Sequence, residues 1–448
     1  MFNFFKKLSS PKEPFVYLNN NASTLSPQCF ADYLREHRCY SNIKDYYNNM
    51  VREDKDGIIS RFKQELLKKC SITDSQFKVI ITSSASESNN MLLKGFVYKF
   101  RAAVPSRLPN VLIGATEHKT SIYCVDELAA LEYANVIKVY PDISTGIITM
   151  SEVRAAIAKA GLTVRNIDMV SLMAVNNETG IVTNISQIFA ELKKENPNIF
   201  CHTDIVQSFG KCGVNLANLR DGRPGVIDAI SISFHKLYGP IGCGAVVIRC
   251  STLSRISPLI HGNQNSGMRG GTESVYLVEL SNLGMQYNFE NRAAKNNHVA
   301  YLYNLFCNIN ADRVVSYFKY KSGGVRIVRR GIYYVLFGDR ENTLCNTLMM
   351  SIVAITDVPA DHNIGADLSL ATCVIGGAEV VAQLAKYDII VSRGAMCSGD
   401  KESYVLTAHG IPKNLSSGGF RVSFGDINTV DDVYALSNAL LDIINDAE

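Results

Sequence analysis

The residue with the most specific chemical setting is a lysine. In SISFHKLYGP (231–240), Lys236 directly follows a short apolar stretch, has Ser233 and His235 beside it, and precedes a Gly-Pro turn. An amine held near a cationic group and away from bulk water loses its proton more readily, and a deprotonated amine can form a Schiff base with a carbonyl. The plain alternative, a surface lysine, would need neither the strand end nor the flanking polar groups. A second nucleophile candidate is Cys397 in IIVSRGAMCSGD (389–400), on a small-residue loop bracketed by Gly394 and Gly399. Flexible backbone suits a thiol that must travel. It is nevertheless one of twelve cysteines, most of which must be packed in the core.

Other polar clusters lie between these two. TSSASES (82–88) joins a strand to a helix, so backbone N–H groups around Ala85 with the Ser84 and Ser86 hydroxyls either surround a phosphate or simply cap the helix. His118 in ATEHK (115–119) is a ring-stacking or proton-transfer group, or a solvated surface histidine. The amides of Asn176 and Asn177 in VNNETG (175–180) hold a polar ligand or build the turn that Gly180 closes. Asp204, just after a strand in HTDIVQ (202–207), either caps the next helix or holds a protonated pyridine nitrogen, which keeps pyridoxal phosphate (PLP) an electron sink. Arg421 falls inside a strand in GGFRVSFG (418–425), an odd place for a guanidinium unless it meets a carboxylate.

Elements that could position these groups alternate from about residue 60 to 250. Helix patterns at 58–69 and 86–100 are interleaved with buried-strand patterns at 78–82, 110–114, 136–140, 168–174, 199–202, 229–233 and 244–249. Such alternation predicts an α/β domain with a mostly parallel sheet, whose ligands sit at the strands' carboxyl ends. From about 285 the pattern becomes a long helix, 287–308, followed by strands and helices that end in an amphipathic helix at 430–445, a second and smaller α+β domain. Residues 20–50, rich in Asn and Tyr, read as an irregular entrance loop.

The 448 residues, 47% hydrophobic and 19% charged, suffice for two folded domains. A net charge of +3 with scattered basic residues argues against nucleic acid as a partner, and no apolar run is long enough for a membrane span. The cysteines are dispersed with no C-x-x-C pair, which argues against a metal cluster or disulfide scaffold and for a soluble protein of the reducing cytoplasm.

Taken in order, YLNNNAST (17–24), 82–95, 116–119, VNNETG, 202–210, SISFHKLYGP, HGNQNSGMRGGT (261–272), SRGAMCS (392–398), SYVL (403–406) and 420–425 resemble the segments of the NifS/IscS-like cysteine desulfurases. These are PLP enzymes of the class-V aminotransferase group with fold type I, the aspartate-aminotransferase fold. The resemblance runs from about residue 15 to the carboxyl end. It implies a large PLP-binding domain over 16–285 and a small domain over 286–448, with residues 1–15 able to pack on the latter. The stretch 314–365 departs from the family and reads as an inserted strand or surface element.

Residue by residue, the resemblance implies Lys236 as the cofactor lysine, Asp204 on the pyridine nitrogen and His118 stacked on the ring. Asn177 and Gln207 would meet the phenolic oxygen, and the turn at Ala85 and Ser86, with Ser233 and His235, the phosphate. Thr272 would reach the phosphate of a partner subunit, which implies a homodimer, and Arg421 with Asn177 would hold the substrate carboxylate. The implied reaction converts L-cysteine to L-alanine and leaves a persulfide on Cys397 for a sulfur-acceptor protein, in iron–sulfur cluster assembly or another thiol pathway. A selenocysteine lyase on the same fold, or a non-catalytic homologue acting as a scaffold, is the competing reading. Departures from the family pattern are Asn19 for an Asp, Ser84 for a Gly, Ser86 for a Thr, Phe234 for a Gly, and Arg393 and Met396 for small residues. Ser84 and Phe234 are expected to tighten the pocket, and Arg393 and Met396 bear on loop movement and turnover.

Overall fold

The computed structural model describes residues 15–25, 57–72, 75–211, 226–359, 366–393 and 402–446. Most of the expected entrance loop, 26–50, and the loop segment 394–401 with Cys397 and Met396 lie outside the described residues.

A seven-stranded sheet is built from β2 (Phe77–Thr82), β3 (Asn110–Gly114), β4 (Asn135–Val139), β5 (Met169–Ser171), β6 (Phe200–Asp204), β7 (Ala229–Ser233) and β8 (Gly244–Arg249). Their order is β2-β8-β7-β6-β5-β3-β4. All pairs are parallel except those made by β8, which runs antiparallel to both neighbours. Because β8 is reversed between β2 and β7, the carboxyl ends of β2, β3, β4, β5, β6 and β7 share one edge. Strands β3, β6, β7 and β8 are buried almost throughout; β3 and β8 read as apolar runs of Val, Leu, Ile and Ala, whereas β6 (FCHTD) and β7 (AISIS) carry buried polar side chains. Two apolar clusters cover the sheet, one around Phe62, Phe189, Phe209 and Phe234, the other around Phe96, Leu128 and Phe200.

A second sheet has the order β12 (Thr372–Cys373), β11 (Thr347–Ile355), β10 (Gly331–Leu336), β9 (Val314–Ser316), with β14 (Phe420–Ser423) also pairing β11. Helices Arg292–Ile309, Gly377–Lys386 and Val430–Asn445 pack on its core. Residues 314–355, read in the sequence as part of a departing stretch, supply three of these strands. The first described strand, β1 (Val16–Tyr17), pairs parallel with β13 (Ile389–Ile390), and Leu18 is buried in the second sheet's core.

One expected element is broken in two. The helix predicted over 287–308 is Val275–Phe289 followed by Arg292–Ile309, with Asn291 between them in the left-handed region at φ 52°. Among the described residues no helix is long and apolar enough to cross a membrane, and no cluster of three His, Cys, Asp or Glu could hold a metal.

Candidate active site

Five strands deliver polar groups from that shared edge into one cleft. Ser84, Ala85 and Ser86 follow β2, His118 follows β3 and Asn177 follows β5. Asp204 ends β6 with Gln207 just beyond, and Ser233 ends β7 with His235 and Lys236 beyond it. Together with Asn21, Ala22 and Arg421 these residues line a cavity of about 240 Å³. Every cofactor and substrate residue expected from the sequence is among them except Thr272, which is exposed on its own chain, outside the cavity.

The alternatives left open by the sequence divide residue by residue. Ser84 caps helix Ala85–Ala103, its Oγ accepting from Glu87 N at 3.3 Å, while Ser86 faces the cavity. The N–H groups of Ala85 and Ser86 have no intrahelical acceptor, and the helix dipole adds partial positive charge there. Ser84 can sit this close to β8 only because Gly244 lacks a side chain: a Cβ there would lie 2.5 Å from the Ser84 carbonyl carbon. Asn176 builds the turn, its Oδ1 accepting from Glu178 N and Thr179 N at 2.9 Å each and its Nδ2 donating to Thr116 O at 2.9 Å. Gly180, at φ 76°, ends that turn. Asn177 lines the cavity instead, and its Oδ1 has no partner among the described residues.

Asp204 is 6% exposed, with Oδ1 accepting from Val206 N and Oδ2 from Asn89 Nδ2, both at 2.9 Å. His118 is half-buried rather than a solvated surface group, and its Nδ1 lies 2.8 Å from Thr120 Oγ1. Burial, and then the Lys236 ammonium, lower its pKa, against an opposing pull from Asp204. Burial and the same lysine push His235 down to about 4, so it is a neutral imidazole at neutral pH. Its Nδ1 has no partner among the described residues.

Arg421 comes from the second sheet. Its guanidinium donates to Asn177 O at 2.5 Å and to Asn19 Oδ1 at 3.1 Å, and Nε has no partner among the described residues. Burial lowers its pKa to about 10, which leaves it cationic at neutral pH. Both of its hydrogen-bond partners are neutral oxygens, and the Glu178 carboxylate, which acts on it only through space, partly opposes the effect of burial.

Phe234 corrects an expectation. It does not tighten the pocket: Ser233, the last residue of β7, faces the cleft, whereas Phe234 opens a single 3-10 turn, Phe234–Lys236, and its ring is buried in the core 5.1 Å from the Phe62 ring. Asn21 and Asn89 were missed. Asn89 stands one turn after Ser86 and so shares its helix face, a spacing that could have flagged it. Asn21 gave no such signal, since its partners lie far along the chain. Its Oδ1 accepts from Asn346 Nδ2 at 3.0 Å, its Nδ2 donates to Thr347 Oγ1 at 2.7 Å, and its carbonyl accepts from Gln207 Nε2 at 3.0 Å.

The groups present suit PLP. Helix N–H groups with the Ser86 and Ser233 hydroxyls match an anionic phosphate, and buried Asp204 matches a protonated ring nitrogen. The unpartnered Asn177 and His235 atoms are polar groups that need a ligand. The aminotransferase class-V family model matches residues 16–282. Cysteine desulfurase IscS of Rickettsia prowazekii is 30% identical over 366 residues, which cover 80% of this chain and 74% of that protein; its Rickettsia typhi counterpart is 29% identical over the same extent. A solved NifS-like protein superposes with a TM-score of 0.72 at 23% identity, covering 96% of this chain and all of that one, and so shares the fold. With the match extending over more than half of its length, the chain belongs to the class-V aminotransferases, a family of PLP-dependent enzymes.

Proposed function

We propose that the protein is a cysteine desulfurase that converts L-cysteine to L-alanine and passes the sulfur to Cys397. The observation that carries this reading is the single cleft in which Lys236, Asp204, His118 and Arg421 meet. PLP, when bound, withdraws electrons from the substrate's α-carbon. Lys236 would hold it and then move the α-proton, and Asp204, fixed by Asn89 and Val206 N, would hold the proton on the ring nitrogen. Asn177 and Gln207 would meet the phenolic oxygen, while Ala85, Ser86, Ser233 and His235 would bind the phosphate. Arg421 would grip the substrate carboxylate, which orients the substrate thiol toward the nucleophile. His118, with its lowered pKa, is suited to take the proton of that thiol.

Cys397 lies outside the described residues, and its role rests on the resemblance of segment 392–398 to the family, with which the reach of the chain agrees. It follows Arg393 by four residues, a reach of at most about 14 Å between Cα atoms. Ser392 is paired backbone to backbone with Arg421, its N–H donating to Arg421 O at 3.1 Å. None of the eight described cysteines lines the cavity, and burial pushes the Cys124 thiol up to about 12 and Cys243 and Cys307 up to about 11. The thiolate attacks the substrate sulfur, the carbon–sulfur bond breaks with its electron pair left on the substrate carbon, which takes up a proton to become the methyl of alanine, and a persulfide remains on Cys397 for a sulfur-acceptor protein.

Three further parts belong to the same proposal. The chain divides into a cofactor-binding unit over 16–285 and a smaller unit over 286–448, in line with the two sheets. It works as a homodimer in which exposed Thr272 reaches the partner's phosphate site. It resides in the cytoplasm, since twelve dispersed cysteines suit a reducing compartment. The test is to incubate the protein with PLP, L-cysteine and a reductant and to measure alanine and sulfide. Wild type makes both, Lys236→Ala makes neither, and Cys397→Ala retains the cofactor but loses sulfide release. Absence of alanine from wild type overturns the proposal, as does faster turnover of selenocysteine than of cysteine.

A further inference from the structure

A carboxylate stands where an anion-binding turn should avoid one. Glu87 is the third residue of helix Ala85–Ala103, directly after the cavity-lining Ser84, Ala85 and Ser86. It does not line the cavity. Its Oε2 accepts from Ser83 N at 2.7 Å, and its Oε1 accepts from Arg269 Nε at 2.8 Å, with Arg269 Nη2 at 3.3 Å from Oε2. The fork is largely shielded, at 16% side-chain exposure for Glu87 and 20% for Arg269, so the two charges offset each other more than an open surface pair would. The Arg269 and Ser83 bonds hold the Glu87 pKa below the usual carboxylate range against the effect of burial.

Arg269 is delivered by a loop whose own conformation is costly. Asn265, Ser266 and Gly267 take positive φ in succession, at 49°, 60° and 78°. Non-glycine residues persist there only where their surroundings enforce it. Asn265 supplies the enforcement: its Oδ1 accepts from Ile81 N at 3.0 Å, on the outer edge of strand β2, and from Lys63 Nζ at 3.2 Å, while its Nδ2 donates to Arg269 O at 3.4 Å. Close backbone crossing tightens the same loop, since a Cβ on Gly270 would lie 2.1 Å from His261 O. The guanidinium is therefore held in place before any ligand arrives.

We propose that Arg269 is a positioning residue for cofactor retention, which cancels and turns aside the Glu87 carboxylate so that the first turn of the helix can accept a phosphate. This rests on the reading of that turn as the phosphate end of the cofactor site. Arg269→Gln leaves Glu87 as an uncompensated anion beside the turn, whereas Glu87→Gln removes the offending charge. The defect of the first variant is therefore repaired by adding the second.

Binding of PLP and of pyridoxal, which lacks the phosphate, to the cofactor-free protein by equilibrium dialysis tests this. Arg269→Gln should weaken PLP about tenfold while leaving pyridoxal within about twofold, as expected for a like charge several ångströms away. Glu87→Gln and the double variant should both bind PLP within about threefold of wild type. Equal loss of PLP and pyridoxal in Arg269→Gln, or no recovery in the double variant, would mean a merely structural pair and overturn the proposal. Wild type binding pyridoxal as tightly as PLP would instead overturn the phosphate reading of the turn.

Discussion

Two adjacent asparagines show how finely function is divided at the level of single side chains. Asn176 spends its amide on two backbone N–H groups of the turn and on the Thr116 carbonyl, and Asn177 presents an unpartnered oxygen to the cleft. Asn176→Ala should therefore destabilise the fold by about 2–3 kcal/mol, read by denaturant unfolding, because three buried backbone groups lose their partner. Asn177→Ala should leave stability within about 0.5 kcal/mol of wild type and instead lower kcat/KM for cysteine. The residue types in VNNETG were legible in the sequence, but not which amide faced inward, because that depends on the turn's geometry. Buried histidines give a second expectation. His202, between Ser171 Oγ at 2.8 Å and Ser231 Oγ at 3.0 Å, and His409, bonded to Val405 O at 2.8 Å, are both lowered by burial to about 4. Below about pH 6.5 the unfolded chain takes up protons that the folded chain refuses. Stability present above that pH is thus lost as pH falls toward 4, by on the order of 3 kcal/mol for each histidine. Melting temperature measured from pH 7 to pH 4 should fall steeply in this window, and His409→Gln should fall less steeply.

Strands and helices were the more readable level. Strands at 110–114, 229–233 and 244–249 and the helix at 58–69 coincide with the sequence reading, because the strands are short, largely apolar runs bounded by polar or Gly residues and the helix carries an amphipathic period over 12 residues. The break after Phe289 was not legible, since neither Gly nor Pro marks it. Asparagine is the ordinary residue type that best tolerates the left-handed conformation seen at Asn291. Asn291→Val should cost about 1–2 kcal/mol in denaturant unfolding while Asn291→Gly is tolerated, and equal stability of the two would show that the kink is not set at this residue. Phe234 was misread for a related reason: a glycine replaced by a large ring beside the key lysine suggests obstruction, yet the 3-10 turn that follows β7 carries the ring into the core.

At the scale of the whole molecule, the cleft belongs to neither sheet alone. Arg421 reaches Asn177 across 244 residues of sequence, a meeting that no local pattern could reveal. A homodimer should sediment at twice the chain mass, and Thr272→Val should weaken PLP about tenfold without changing the sedimenting species; a monomer at micromolar concentration would refute the assembly. The short segment Asn19–Thr24 ties these long-range connections together. Asn21 N donates to Ser423 Oγ at 2.9 Å, Asn20 Nδ2 to Ser423 O at 3.0 Å, and Thr24 N to His235 O at 3.0 Å. These residues leave the ribosome well ahead of Ser423, which lies 402 positions beyond Asn21. The segment must therefore wait, its amides served by water, until about four hundred more residues have been translated. A nascent chain can form its parallel sheet, with Lys236 in place, well before Arg421 exists to close the cavity's lining. Synthesis of the strand that carries Arg421 thus becomes the event that completes the cleft.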